Sequence, residues 1–189
     1  AAKALGDLSR QGPLLLPAPA AGRGLEMAIH FHRLGAQIAL CPAHFGVAER
    51  LLAQASLGAV HSAELGAALK GARRLEADSD PGGVMIAAKP NAEGGVAAAL
   101  AARFSSDGSA RIVFTGHLAE GEPAHALVAS RKASFRRWNV HPRLSEIRAI
   151  LGRVNPSIAM PAFVKATGRA EIEAAIPDRR FASGPRMVW

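Results

Sequence analysis

The residue types best suited to chemistry are concentrated in one segment, from Arg111 to Phe163. An apolar strand in this segment ends in a glycine-rich loop, a basic stretch follows, and a lone histidine, His141, opens an amphipathic helix. In layered α/β folds, catalytic loops follow the ends of strands. An imidazole titrates near neutral pH and can transfer a proton, although His141 can equally cap or pack against its helix start. We therefore expect any chemistry to lie here.

Two consecutive glycines, Gly94 and Gly95, follow an apolar strand and precede a helix. The first N–H groups of a helix are free to bind an anion, and glycine lets a phosphate approach the backbone. Lys89 and Asn91 lie just before them. The pattern fits a phosphate site, and it also fits an ordinary helix start whose N–H groups bind water or Glu93.

Arg23 and Glu26 lie at the start of another predicted helix, directly after Gly22. Their spacing places both side chains on the same side of one helical turn. The glycine permits a tight turn from the preceding strand. The pair fits a functional position at a strand end, and it also fits a structural ion pair at a helix start.

The histidines and carboxylates of the chain match no closed zinc pattern. His117 and His125 are separated by a loop, and further converging ligands would be needed for a metal site. No HxHxDH motif occurs in the 189 residues. The sequence therefore predicts no metal site made by this chain alone.

The net charge of +8 favours a polyanionic partner such as nucleic acid. Chains rich in alanine and arginine are also often basic without binding nucleic acid. Aromatic residues make up 5% of the chain and tyrosine is absent, which disfavours platforms for base stacking. Any nucleic-acid contact is therefore predicted to be made mainly to phosphates.

Hydrophobic patterning and cysteine usage indicate a cytoplasmic protein without a membrane span. No run of eighteen apolar residues occurs, and the first residues lack the apolar core of a signal peptide. The one cysteine, Cys41, cannot form an internal disulfide, which fits a reducing compartment.

Strand and helix patterns alternate through most of the chain. Apolar strand patterns at 14–16, 38–40, 84–88 and 112–114 are separated by helical patterns at 25–34, 42–55, 61–75 and 96–104. The alternation predicts an α/β fold, a Rossmann-like parallel sheet with helices on both faces. From Gly116 to Ala124 it gives way to a predicted loop.

Taken together, these segments resemble the β-CASP nucleases, the nucleic-acid-cutting branch of the metallo-β-lactamase superfamily that includes ribonuclease J and the pre-mRNA cleavage endonuclease. The resemblance covers about residues 10 to 165. It is carried by four segments: LLLPAPAAGRGLEMAIHFHRLG, MIAAKPNAEGGVAAAL, TGHLAEGEPAHAL and the helix that His141 opens with Ser145, Glu146 and Ile147.

The resemblance implies a role for each matching residue. It implies that His141 contacts the scissile phosphate or donates a proton to the leaving oxygen. It implies one cleft faced by His141 and the Gly95 N–H, with basic residues along it. The residues expected to bind phosphate or nucleic acid are Gly94, Gly95, Thr115, Gly116, Arg136, Arg137 and Arg143. Arg131 and Lys132, interpreted as residues of a basic edge strand, belong to the same sequence cluster.

The sequence departs from the family pattern in its metal-binding residues. Prolines at 156 and 161 keep the family register, but Phe163 stands where the family has a metal-binding histidine. The family's HxHxDH half has no counterpart here. The resemblance thus implies that the complete enzyme uses zinc, whereas this chain alone binds none. Its partner would be a missing N-terminal catalytic half or another subunit, or the chain is a catalytically dead relative.

These expectations define three regions: a β-CASP-like α/β domain at 10–133, a segment at 134–176 that completes a lactamase-type domain, and a tail at 177–189. The expected function is the substrate-clamping C-terminal part of a metal-dependent phosphodiesterase acting on RNA or DNA, with RNA favoured. The alternative is a non-catalytic nucleic-acid-binding or scaffold subunit, so whether the chain is an enzyme stays open. A nucleotide-binding domain is disfavoured, since the first strand lacks GxGxxG.

Overall fold

The computed structural model describes residues 2–54, 58–138, 142, 144–161, 164 and 166–182. The chain divides into two compact units, Ala1–Val140 and His141–Trp189. The candidate site lies in the first unit.

The first unit alternates strands and helices. In chain order they are α1 (Ala2–Ser9), β1 (Leu14–Pro17), α2 (Arg23–Arg33), β2 (Ile38–Leu40), α3 (Pro42–Ala53), α4 (Ala59–Gly71), β3 (Arg73–Arg74), β4 (Val84–Ala87), α5 (Gly95–Asp107), β5 (Arg111–Phe114), α6 (Pro123–Ala129) and β6 (Ser134–Phe135).

The strands of the first unit form one parallel sheet in the order β3-β2-β4-β1-β5-β6. In the centre, Leu15 of β1 is opposite Met85 of β4 on one side and Ile112 of β5 on the other. Helical crossovers cover both faces of such a sheet, so its central strands are apolar throughout. Every residue of β1 and β4 is buried. The predicted α/β class, a parallel sheet with helices on both faces, is confirmed.

Side chains of β1 alternate between two hydrophobic cores on opposite faces of the sheet. Leu15 packs in the core that contains Phe104 of α5. Leu14 packs in the other core, with Phe31 of α2. Successive strand residues point to opposite faces, so α2 and α5 cover different faces. Full burial of each leucine stabilises the fold by about 2 kcal/mol.

Two short elements of the sheet unit differ from the sequence prediction. α6 begins at Pro123, inside the predicted loop, because proline fits a first helical turn, where its missing N–H is not needed. β3 follows α4, which ends at Gly71 and not at residue 75. Both residues of β3 are exposed, so no apolar periodicity marks this strand in the sequence.

The first unit also extends further along the chain than the predicted boundary at residue 133. Ser134 and Phe135 form β6, which pairs with Val113 and Phe114 of β5. Phe135 packs against the same core as Phe114. Residues 134–138 therefore belong with the sheet.

The second unit contains α7 (Leu144–Val154) and α8 (Ala166–Ala175). A parallel bridge joins Ala159 and Phe181, and Ala182 N donates to the Ala159 carbonyl at 2.9 Å. The predicted tail from residue 177 is thus paired as far as residue 182.

Candidate nucleic-acid interface at the carboxyl edge of the sheet

Three loops meet where β1, β4 and β5 end side by side at the carboxyl edge of the sheet: 18–22 (the β1–α2 loop), 88–94 (the β4–α5 loop) and 115–122 (the β5–α6 loop). The chain leaves β1 toward the face covered by α2 and leaves β4 toward the face covered by α5. Ligands of open α/β sheets bind where neighbouring strands send their connections to opposite faces. The topology therefore places the candidate site beyond β1 and β4, next to β5.

Asn91 connects the β4–α5 loop to the β5–α6 loop through hydrogen bonds. Its side-chain oxygen accepts a hydrogen bond from Ala119 N at 3.4 Å, and its carbonyl accepts one from Ala124 N at 3.0 Å. In the same loop, Lys89 and Ala92 have φ of 84° and 56°, left-handed conformations that cost energy in residues other than glycine. The surroundings hold this loop in one strained conformation.

The start of α5 is open to a ligand. Gly94 precedes the helix without a side-chain cap, and Gly95 has φ of 59°. Apart from the chain neighbours and the backbone of the helix itself, no atom of the described residues lies within 4 Å of the position that a Cβ would take at either glycine. The nearby Glu93 carboxylate accepts a hydrogen bond from Asn91 N at 2.8 Å, so it is engaged within the loop. The backbone N–H groups of the first turn can be approached closely.

Arg23, the first residue of α2, brings a positive charge to this edge. Its guanidinium lies over Gly116, since a Cβ on Gly116 would come within 3.0 Å of Cζ and both terminal nitrogens. The Arg23 Nε is buried and donates to no acceptor among the described residues. The arginine therefore keeps donor capacity for a ligand.

The charge of Arg23 is partly desolvated. Burial lowers its pKa below the ordinary value, and the Glu26 carboxylate opposes this shift. An arginine nevertheless stays protonated in a protein. Glu26 accepts a hydrogen bond from Trp138 Nε1 at 3.3 Å. The two residues predicted as a pair are thus coupled through charge, and Glu26 bonds to the segment after β6.

Thr115 adds a second polar group without a partner. It is fully buried, and its carbonyl accepts a hydrogen bond from Trp138 N at 2.9 Å, but its hydroxyl has no partner within the described part of the chain. Val113 packs in the core that contains α2, so Thr115, two residues later, faces the same side. Buried polar groups without partners are rare in folded proteins. Arg23, Thr115 and Gly116 are called the arginine cluster below.

The strand β6 divides the basic residues that the sequence places in one cluster. Arg136 and Arg137 follow this strand at the carboxyl edge and are exposed. Arg131 and Lys132 precede it and therefore lie at the opposite, amino edge of the parallel sheet. They form a turn in which Arg131 has φ of 59°, so the interpretation of these two residues as part of a strand is wrong.

Three residues on which the sequence analysis depended lie outside the described residues: His141, Arg143 and Phe163. The structure brings together Gly94, Gly95, Thr115, Gly116, Arg136 and Arg137 at one edge of the sheet. A cleft shared with His141 stays a prediction, and so do the roles of all these residues.

The described residues do not fit the zinc that the resemblance implies. Within them, no group of three or more histidine, cysteine or carboxylate side chains is arranged to hold a metal ion. His117 and His125 are both exposed. Zinc therefore remains an expectation for ligands beyond the described part of the chain.

Trp138 contacts three residues at this edge, although no sequence pattern predicts it as a site residue. The Trp138 ring lies 5.3 Å from the His30 ring in an edge-on arrangement, in addition to its bonds to Glu26 and Thr115. Its partners on α2 are far away in the sequence, so no local pattern marks these contacts.

No protein-family model matches the chain, and no curated protein matches it. Among the described helices, none is both long and apolar enough to cross a membrane.

Proposed function

We propose that the carboxyl edge of the sheet binds the sugar-phosphate backbone of a nucleic acid. In this proposal the chain is the substrate-clamping C-terminal part of a metal-dependent phosphodiesterase of the β-CASP type, acting on RNA in preference to DNA. The observation that carries the proposal is the guanidinium of Arg23, held at the edge of the sheet with a buried N–H that has no partner among the described residues.

The chemistry of Arg23 favours phosphate over other ligands. A guanidinium presents its donors in a planar fork that matches two phosphate oxygens. Partial burial of Arg23 removes water from the charge, which strengthens its attraction to an anion. The Thr115 hydroxyl, which also has no partner in the part of the chain that the structure describes, is a further donor on the same face of the sheet.

Backbone N–H groups are the second source of phosphate affinity. The first turn of α5, at Gly95, is uncapped and sterically open. A helix N-terminus carries partial positive charge and free N–H donors, which suit a phosphate. Glu93 places a negative charge beside this turn, so we expect Arg23 to contribute more to binding than the turn does. Arg136 and Arg137 extend the positive surface along the same edge.

In this proposal, catalysis depends on groups outside the described residues. Zinc ligands belong to a missing N-terminal half or a partner subunit. His141, through an imidazole that titrates near neutrality, assists the departure of the leaving oxygen. The residues at the carboxyl edge hold and orient the substrate, which by itself lowers a reaction barrier through correct positioning.

A second candidate is a non-catalytic nucleic-acid-binding or scaffold subunit. The observation that favours it is Phe163, which stands in the register of a metal-binding histidine. Both candidates use the carboxyl edge in the same way. Both also place the protein in the cytoplasm, where the buried Cys41 stays reduced.

Binding to single-stranded RNA at increasing salt tests the proposal. Each phosphate contact releases counterions, so affinity should fall at least about tenfold between roughly 50 and 200 mM salt. A single-stranded DNA of the same sequence forms the second arm and should bind more weakly.

A matched pair of charge reversals locates the surface. Changing Arg136 and Arg137 to Glu should weaken RNA binding about tenfold and make its salt dependence less steep, because two phosphate contacts are lost. Changing Arg73 and Arg74 to Glu alters the net charge equally at the β3 edge of the sheet and should have a smaller effect. Equal effects of the two reversals, or a flat salt response of the wild type, would reject the proposed surface.

A further inference from the structure

A second polar cluster lies at the carboxyl edge, at the end of β2, and is closed to solvent. His44 is fully buried and Cys41 almost fully. Cys41 Sγ lies 3.1 Å from His44 Nδ1 and accepts a hydrogen bond from Ala88 N at 3.1 Å. Ala88 directly follows β4, so Cys41, His44 and Ala88, here called the histidine cluster, join the ends of two strands.

The other nitrogen of His44 faces the β1–α2 loop. A Cβ on Gly24 would come within 3.0 Å of both His44 Nε2 and the Pro19 carbonyl oxygen. Among the described residues Nε2 has no partner in regular hydrogen-bond geometry, but burial lowers the pKa of the imidazole and the nearby Pro19 carbonyl opposes this shift. The absence of a side chain at Gly24 lets these groups approach one another.

These contacts define one tautomer of a neutral ring. The Pro19 carbonyl that Nε2 faces can only accept, so we assign the proton of the neutral imidazole to Nε2, and the Cys41 thiol then donates to Nδ1. Burial lowers the pKa of His44 from 6.5 to about 4. Within the described part of the chain, burial and the Pro19 carbonyl account for this shift, and no charged side chain contributes to it.

We infer that His44 is a positioning residue that holds the β1–α2 loop, and through it Arg23, against the ends of β2 and β4. Pro19 precedes Arg23 in this loop and Gly24 directly follows it, so the imidazole contacts the chain on both sides of the arginine. The link to ligand binding rests on the proposed function, whereas the link to loop position does not.

Two substitutions separate the contacts of the ring. The amide of His44→Gln reaches about as far as Nε2 and can still donate to the Pro19 carbonyl. The amide of His44→Asn reaches only about as far as Nδ1, so it keeps a partner for Cys41 and loses Pro19. Both variants remove the ring, which makes them matched controls for lost packing.

Hydrogen exchange and RNA binding are measured on both variants. His44→Asn should raise amide exchange in residues 18–24 at least about tenfold relative to α5 and weaken single-stranded RNA binding about fivefold. His44→Gln should stay within about twofold of the wild type in both measurements. If exchange in 18–24 is the same for both variants, His44 does not position the loop.

The wild-type protein provides a test that needs no variant. The nitrogen shifts of the His44 ring at pH 7 should show a neutral imidazole protonated on Nε2. A charged ring, or a ring protonated on Nδ1, would overturn the inference. If the wild type binds no RNA, the proposed function fails, and loop exchange and the tautomer still decide the role of His44.

Discussion

The two polar clusters at the carboxyl edge differ in how far their hydrogen bonds are satisfied. In the histidine cluster, Cys41 Sγ contacts His44 Nδ1 and accepts a hydrogen bond from Ala88 N, whereas His44 Nε2 faces the Pro19 carbonyl without a regular hydrogen bond among the described residues. In the arginine cluster, the Arg23 Nε and the Thr115 hydroxyl have no partner among the described residues. An unsatisfied buried polar group costs about 1–3 kcal/mol, so a ligand that bonds to the two groups of the arginine cluster would be favoured. We interpret the histidine cluster as a set of contacts that holds neighbouring loops together. We interpret the arginine cluster as the surface that binds a ligand.

The largest effect that we expect is a fall in stability at low pH, caused by His44 in the histidine cluster. Burial lowers the pKa of His44 from 6.5 to about 4. Between these values the unfolded chain binds a proton that the folded chain does not. The free energy of unfolding should therefore be highest above pH 6.5 and fall by about 3 kcal/mol as the pH decreases to about 4. Urea unfolding at a series of pH values measures this fall.

The control for this prediction is the His44→Gln variant, which should lose the slope between about pH 6.5 and 4.5. Lowered carboxylate pKa values contribute below this window, because a hydrogen bond from Arg33 lowers the pKa of Glu64 and one from Ser109 lowers that of Asp107. A wild type whose stability is flat from pH 6.5 to 4.5 would show that His44 is not held neutral.

A smaller effect is expected where the β1–α2 loop meets the imidazole. In Gly24→Ala, the new Cβ meets the Pro19 carbonyl and the His44 ring, neither of which is the end of a flexible side chain. We expect the stability to fall by about 2 kcal/mol, as for overpacking of a core. Thermal or urea unfolding measures the loss.

The matched control is Gly66→Ala, inside α4. Apart from the backbone of α4 itself, no atom of the described residues lies within 4 Å of the new Cβ there, and alanine favours a helix over glycine by up to about 1 kcal/mol. This variant should be slightly more stable than the wild type. If Gly24→Ala is as well tolerated as Gly66→Ala, the close packing of the histidine cluster is wrong.

The central part of the fold could be predicted because its signals are local. The buried runs at β1 and β4 are apolar at every position, as a parallel strand covered on both faces requires. By contrast, β3 and β6 have two residues each and are defined by pairing with Leu40 and Phe114, which no short window of sequence contains. Arg131 and Lys132 were misplaced for the same reason, since β6 separates them from Arg136.

The candidate site could be predicted only where the residues that mark it are neighbours within one loop. The pattern before α5 places Gly94 and Gly95 at a strand end from neighbouring residues alone. The contact of Trp138 with Glu26 joins segments that are 112 residues apart, so it could not be predicted locally. Cys41 and His44 are three residues apart at a helix start, but their burial depends on Gly24 and Ala88, which other segments supply.

The central claim, that the arginine cluster binds phosphate through Arg23, is tested most directly by Gly116→Ala. The nearest atoms to the new Cβ all belong to the Arg23 guanidinium, a flexible group that can move away. The unfolding free energy should therefore change by less than about 0.5 kcal/mol, whereas affinity for single-stranded RNA should fall about tenfold. Arg23→Gln should produce a similar loss, and the double variant should bind no more weakly than Arg23→Gln alone. Wild-type affinity in Gly116→Ala and Arg23→Gln, or additive losses in the double variant, would contradict the claim.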